Sequence, residues 1–298
     1  MAKVSEVDAS SITKQNLLAG DSLYIENLLS EEELYEMINY MKELRLNDGF
    51  EELKLKNGIA PRLIRQEYDD NIDNSSHGIP IYRHPSDEKL NTVPFNIFVR
   101  NVSHRLSIVL KQPFNHCLIQ YYRSSEDSIS MHADKTLDIA KGSMIVNFSL
   151  GAARTMLFSK KKDKKEDGDD NFRILLQNNS AFGLGWESNK KYLHGIKPDK
   201  RRDAEKSSQE LAFDGERISF TFRNIATFLK TEEKSVGYVL TGQGAAESNV
   251  DTDTDTEGVT HLNEEGEREK MITAFGIENR SSSFVWEDLY GKGFQCSF

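Results

Sequence analysis

The chain has 298 residues, 37% of them hydrophobic, and its 48 acidic side chains outnumber 38 basic ones to give a formal net charge of −10. That length allows one large domain or two small ones, and the mean hydropathy of −0.59 points to a modest core with long polar insertions. The charge excludes a surface that grips nucleic acid all round, and two distant cysteines, Cys117 and Cys296, exclude a disulfide framework.

In chain order, residues 1–18 are polar and expected to be flexible, and 21–29 read as a strand running into a turn. Ser30 followed by Glu31, Glu32 and Glu33 is a helix start: a capping hydroxyl, then acids that complement the helix dipole. The apolar stripe Leu34, Met37, Ile38, Met41 and Leu44 carries that helix forward. Residues 50–85 are irregular, with turn chemistry at 69–77 and Tyr82, Arg83 and His84 standing beside prolines. Steps of three and four from Phe95 to Leu110 predict a second amphipathic helix.

After Pro113 the texture changes to short strands: 117–122, 128–132, 143–150, a hairpin of 155–158 with 172–176, a pair at 180–186 and 192–196, and 217–223. Many short strands with turns between them suggest an antiparallel sandwich or jelly roll. Residues 160–170 are a charged hairpin tip and 197–210 a polar loop. Beyond Phe228 the acidic repeat at 247–258 reads as disordered, 264–275 as a helix with Met271, Ile272 and Phe275 on one face, and 284–290 as an aromatic tail that docks on the body. The division expected is a flexible 1–18, a catalytic domain at 19–230, and a C-terminal extension at 231–298.

Chemistry concentrates at His132-Ala133-Asp134. In an extended segment residues i and i+2 point to one side, so the imidazole and carboxylate are able to face one metal ion. A third ligand has to come from far along the chain, and His194 is placed to supply it. Two histidines and one carboxylate with open positions beside them suit a non-haem Fe(II) oxygenase, although a lone strand histidine is more often structural. Arg217 and Arg223 share one face of an alternating strand with Ser219 and Thr221, while Ile218, Phe220 and Phe222 take the other. Two arginines on an inner face call for an anion, a dicarboxylate or a ligand carboxylate plus a metal-bound one. The plainer alternative is the exposed polar face of an edge strand.

Taken together, Cys117-Leu-Ile-Gln-Tyr-Tyr122, His132-Ala-Asp134, Ser149-Leu-Gly-Ala-Ala-Arg154, Tyr192-Leu-His194 and Arg217-Ile-Ser-Phe-Thr-Phe-Arg223 resemble the AlkB-like Fe(II)/2-oxoglutarate-dependent dioxygenases. The resemblance covers roughly residues 20–228 and keeps the family's motif order. It implies an α+β fold with a mainly β core, a double-stranded β-helix (jelly roll) with helices packed outside. It implies Fe(II) held by His132, Asp134 and His194, with 2-oxoglutarate and O2 as co-substrates. Arg217, helped by the Tyr122 hydroxyl, is expected on the distal carboxylate of 2-oxoglutarate, and Arg223 near the chelating carboxylate and Asp134. Gln120 stands where the family usually has Asn, and Ser219 where Asn is frequent; both are expected near the co-substrate. Lys135-Thr136-Leu137 follows the aspartate where many members carry an acidic residue that meets the base.

The implied reaction hydroxylates a C–H bond with release of succinate and CO2. The first reading of substrate is an N-alkylated base in methylated DNA or RNA, demethylated oxidatively, with Tyr82, Arg83 and His84 as a lid and 160–165 on phosphates. The alternative is a protein side chain or small molecule treated by the same chemistry, with Trp186 near the site. The protein is expected to be a monomer away from membranes, intracellular in cytoplasm or nucleus.

Overall fold

The computed structural model describes residues 12–47, 49–55, 58–71, 78–84, 91–161, 171–231, 238–246 and 264–296. Its larger sheet runs β1 (Ile12–Leu17), β2 (Ser22–Ile25), β12 (Ser180–Leu184), β9 (Ile145–Gly151), β14 (Arg217–Arg223), β7 (His116–Tyr122), β4 (Gly58–Tyr68) and β3 (Glu51–Leu55). A short β6 (Thr92–Pro94) pairs parallel to β4. The smaller sheet runs β11 (Asn171–Leu176), β10 (Arg154–Lys160), β13 (Tyr192–Ile196) and β8 (Ile129–His132). From β7 to β14 successive strands cross from one sheet to the other, except at the β10–β11 hairpin. That winding is a jelly roll, as expected. A third sheet joins β16 (Tyr238–Gly242), β15 (Thr227–Thr231) and β5 (Ile79–Pro80).

Alternation along the strands makes two cores from the larger sheet. One set, including Cys117, Ile119, Val146, Phe148, Phe220 and Phe222, meets the helices. Helix α1 (Glu31–Leu46) begins with a capping box in which Ser30 and Glu33 bond each other's backbone, and it buries Met37 and Met41. Helix α2 (Ile97–Leu110), capped by Asn96, buries Val99, Val102, Leu106 and Val109. The opposite set, including Tyr122, Ile145 and Phe182, meets Met156, Phe158 and Ile196 of the smaller sheet. The candidate site lies between the sheets on this side.

Several elements differ from the sequence reading. Residues 12–17, expected within a flexible tail, form β1 against β2; its middle is exposed, so the pattern carried no apolar alternation. The irregular 50–85 region holds β3 and the eleven-residue β4, whose buried positions include Arg62, Gln66 and Glu67. The segments at 180–186 and 192–196 do not pair with each other: β12 joins the larger sheet and β13 the smaller. Between them lies the short helix α3 (Trp186–Lys191), whose first N–H groups bond the Asp21 carboxylate.

Helix α4 (Glu264–Arg280) extends past residue 275, and Ile272 on it is exposed while Met271, Ala274, Phe275 and Glu278 are buried. With α5 (Trp286–Tyr290) it forms an apolar cluster on Leu137 that also takes in Phe294 and Cys296. The acidic repeat at 247–258 and the charged tip at 162–170 lie outside the described residues. Among the described residues no helix is long and apolar enough to cross a membrane.

Candidate metal centre

His132 ends β8 and His194 sits in β13, and the two are directly opposed in the antiparallel register. Opposed residues on one face bring side chains together, here with ring centroids 4.4 Å apart. Asp134 follows His132 by two residues and brings its Oδ2 to 3.5 Å from His194 Nε2. One ligand atom from each of the three lies within 4.8 Å of the others. His132 Nδ1 lies 2.8 Å from the Ser130 carbonyl, which fixes its proton there and turns Nε2 toward the group. Two imidazoles and a carboxylate so arranged fit ferrous iron.

The surroundings orient the carboxylate. Arg223 donates to Asp134 Oδ1 from Nε at 3.1 Å and again from Nη2, and the Tyr82 hydroxyl donates to the same oxygen at 3.1 Å. Oδ1 is thus occupied and Oδ2 is the oxygen presented to His194. Burial pushes the Asp134 carboxyl upward, but Arg223, then His194 and His132, outweigh it and hold it well below the ordinary carboxylate range. Burial, reinforced by His132, lowers His194 to about 3, so its imidazole is neutral and able to ligate.

The group opens on a cavity of about 190 Å³ lined by both sheets, with Gln120, Tyr122, Asn147, Ser219 and Arg223 in its wall. Arg217 is fully buried just behind this wall. Its Nη2 donates to Asn147 Oδ1 and Ser149 Oγ, both at 2.9 Å, and its guanidinium lies 5.2 Å from the centre of the Tyr122 ring. Among the described residues, Nε and Nη1 of Arg217 find no acceptor. Burial lowers this guanidinium to about 10, against the opposing influence of Tyr122, so an anion is what the position lacks. Tyr122 donates to Gln120 Oε1 at 3.3 Å, and Ser219 Oγ accepts from Asn147 Nδ2 at 2.6 Å. A carboxylate co-substrate fits these unmet donors.

The sequence reading gives neither Asn147 nor Ser149 a place in the site. The signal was present: they are the polar members of the alternating run Ile145-Val-Asn-Phe-Ser-Leu150, opposed to Thr221 and Ser219. Asn189 was also missed. Its side-chain amide exchanges bonds with the Asp134 N–H and carbonyl at 3.0 and 2.9 Å.

The expected substrate residues divide. Tyr82 and His84 line the cavity, stacked with centroids 6.2 Å apart, although the Tyr82 hydroxyl is engaged with Asp134 and accepts from the Lys135 N–H. Arg83 is not in a lid. It is buried, paired with Asp138 at 2.6 Å, and donates to the carbonyls of Gly244, Phe294 and Cys296. Trp186 is outside the cavity wall and packs between two apolar clusters. Lys161, from the expected phosphate-contacting run, instead donates to the Glu278 carbonyl. Arg62 and Leu55 of β4 and β3 line the cavity and were not anticipated.

The curated protein described as DNA oxidative demethylase ALKBH2 of Bos taurus is 28% identical over 156 residues, 50% of this chain and 52% of that protein. The chain therefore spans about half the length of that curated relative. Among solved structures, OsALKBH1 matches with a TM-score of 0.45 at 18% identity, covering 68% of this chain and 97% of that one. A prolyl hydroxylase of Trichoplax adhaerens, solved with a hypoxia inducible factor peptide, matches with a TM-score of 0.44 at 12% identity, over 68% and 83% of the two chains. The family model for the 2OG-Fe(II) oxygenase superfamily matches residues 21–223, the stretch that carries all three candidate ligands and both arginines. The chain belongs to the 2OG-Fe(II) oxygenase superfamily, and within it resembles the AlkB-type proteins.

Proposed function

We propose that this protein is an Fe(II)- and 2-oxoglutarate-dependent dioxygenase that removes N-linked methyl groups from nucleic-acid bases. The observation that carries the reading is one cavity bounded by His132, Asp134 and His194 and backed by an arginine with two unmet donors. When bound, iron and 2-oxoglutarate supply the oxidising power, ending in succinate, CO2 and a hydroxylated carbon. The protein's own residues hold and aim. Arg217, with Tyr122 and Asn147 beside it, takes the distal carboxylate; Arg223 and Tyr82 fix Asp134; the apolar wall of Ile145, Met156 and Phe182 excludes water. An N-linked methyl hydroxylated at its carbon leaves as formaldehyde as the C–N bond breaks and the hydroxyl proton passes to nitrogen, returning the unmodified base.

A nucleic-acid base suits the rest of the wall. Leu55, Leu118 and Ile129 offer apolar surface and Arg62 a guanidinium plane, the combination that receives a base taken out of its stack. The relative's description as a DNA oxidative demethylase supports the same substrate class. The net charge of −10 favours a second reading, in which a protein side chain or small molecule is hydroxylated at this centre.

Succinate formation separates them. With Fe(II) and 2-oxoglutarate, methylated single-stranded DNA or RNA is expected to stimulate turnover and release formaldehyde, while peptide pools do not. Failure of methylated nucleic acid to bind or stimulate overturns the substrate; unchanged turnover in His132→Ala overturns the centre itself.

A further inference from the structure

Residues 133–139 leave β8 carrying Asp134, and none of them is more than 3% exposed. They belong to no strand, making only one isolated bridge, between Ile139 and Ile225. A buried segment without a ladder must have its backbone donors and acceptors met by other groups. Here four of those groups come from a part of the chain far beyond the family match, which ends at residue 223.

Asn279 Oδ1 accepts from the Ala133 N–H at 3.2 Å and also from Lys135 Nζ, which itself donates to the Ala133 carbonyl at 2.9 Å. Glu278 Oε1 accepts from the Thr136 N–H at 3.0 Å and from its hydroxyl at 2.7 Å. The Trp286 indole N–H donates to the Thr136 carbonyl at 3.1 Å. Gln243 Nε2 donates to the carbonyls of Leu137 and Ile139 at 3.1 and 2.7 Å. Beneath them, Leu137 is enclosed by Met271, Phe275, Trp286 and Tyr290.

We propose that the C-terminal segment is a brace for the metal centre, with Asn279, Glu278, Trp286 and Gln243 as positioning residues for the loop that carries Asp134. The proposal rests on the reading of His132, Asp134 and His194 as the metal ligands. A ligating carboxylate has to be held to within about half an ångström of its working position. His132 and His194 obtain that precision from paired strands; Asp134, two residues past the end of β8, obtains it from side chains. Asn189 and Tyr82 grip the loop on the barrel side, and the brace grips it from the other. Removing the brace leaves the ligand types intact and loosens the geometry, so metal retention is the property that it controls.

Co(II), a spectroscopic stand-in for Fe(II), tests this on the full-length protein through its dissociation constant and its off-rate to a chelator, with no turnover needed. Wild-type protein is expected to bind Co(II) and His132→Ala to lose binding. Asn279→Ala is expected to raise the dissociation constant and the off-rate ~10-fold, the usual scale for groups that orient a ligand. Asn279→Asp keeps the accepting oxygen and is expected to stay within about threefold of wild type, on the same scale. Trp286→Phe keeps the aromatic packing, loses the one donor, and is expected to release Co(II) about threefold faster. A fold defect alone cannot give this order, since Asn279→Asp places a new charge at a half-buried position yet is expected to retain metal.

Wild-type dissociation constants and off-rates in Asn279→Ala and Trp286→Phe, with circular dichroism unchanged, overturn the brace. Should Asn279→Ala not fold, Trp286→Phe alone decides. If wild-type protein fails to bind Co(II), or His132→Ala binds it equally well, the ligand reading falls and the brace with it.

Discussion

Asn147 illustrates how one side chain sets the charge balance of a buried strand. Its Oδ1 accepts from Arg217, and its Nδ2 donates to Ser219 at 2.6 Å and Thr221 at 3.2 Å, so it ties three positions of β14 at once. Asn147→Leu keeps the volume and removes every one of these bonds. The guanidinium then carries an additional unmet donor and turns away from its position behind Tyr122. We expect the KM for 2-oxoglutarate to rise ~10-fold, equivalent to one lost charge-assisted hydrogen bond, with kcat at saturating co-substrate changed much less. A KM equal to wild type, measured by succinate release, contradicts the role. Residue identity is legible wherever chemistry and alternation coincide: His132, Asp134, His194 and Arg223 all line one cavity, and Arg217 lies just behind its wall. Arg83 was not legible. Its position beside two prolines reads as surface loop, whereas its partners are Asp138 and the carbonyls of residues 244, 294 and 296, which no local pattern connects to it.

At the scale of elements, the helices announced themselves because their ends carry chemistry. Ser30 with Glu33, and Asn96 bonding the N–H groups of Phe98 and Val99, satisfy donors that a helix start leaves bare. The end of α2 is less favourable. Lys111 closes it with φ 52 and ψ 39, a left-handed conformation in which a Cβ is crowded and glycine is not. Lys111→Gly relieves that crowding at the expense of added freedom in the unfolded chain. The difference is a net gain of about 0.5 kcal/mol, read as a higher urea midpoint at unchanged slope. A lower midpoint means that the Lys111 side chain makes a compensating contact. Strand β4 was illegible for the opposite reason. Its inward positions are Ala60, Arg62, Ile64 and Gln66, with Glu67 also buried and bonded to Asn96, so polar residues interrupt the period-two apolar pattern and the stretch reads as irregular. The hairpin of β15 and β16 was likewise hidden, since its pairing with β5 lies nearly 150 residues back, from Phe228 to Pro80.

For the whole molecule, winding and topology were legible once several short strands had been recognised, because a jelly roll is the closed solution for many short antiparallel strands. How the C-terminal segment attaches was not, since its contacts are with loops rather than with strands. Those contacts decide whether it behaves as a separate unit. Met271, Ala274, Phe275, Trp286, Tyr290 and Phe294 form one cluster with Leu137 of the Asp134 loop, and Trp186 of the barrel packs against it. Detaching the segment exposes that cluster, strips carbonyl acceptors from the buried guanidinium of Arg83, and leaves the Ala133 and Thr136 N–H groups and the Thr136 carbonyl without partners. A buried charge and several buried amides left unmet cost more than a domain of this size has to spare. The segment and the barrel are therefore expected to unfold together. Both tryptophans of the chain, Trp186 and Trp286, lie at this seam, so their fluorescence reports undocking while far-ultraviolet circular dichroism reports the strands and helices. In urea the two signals are expected to share one midpoint. A fluorescence transition at lower urea, with the dichroism still native, means that the segment docks as an independent unit.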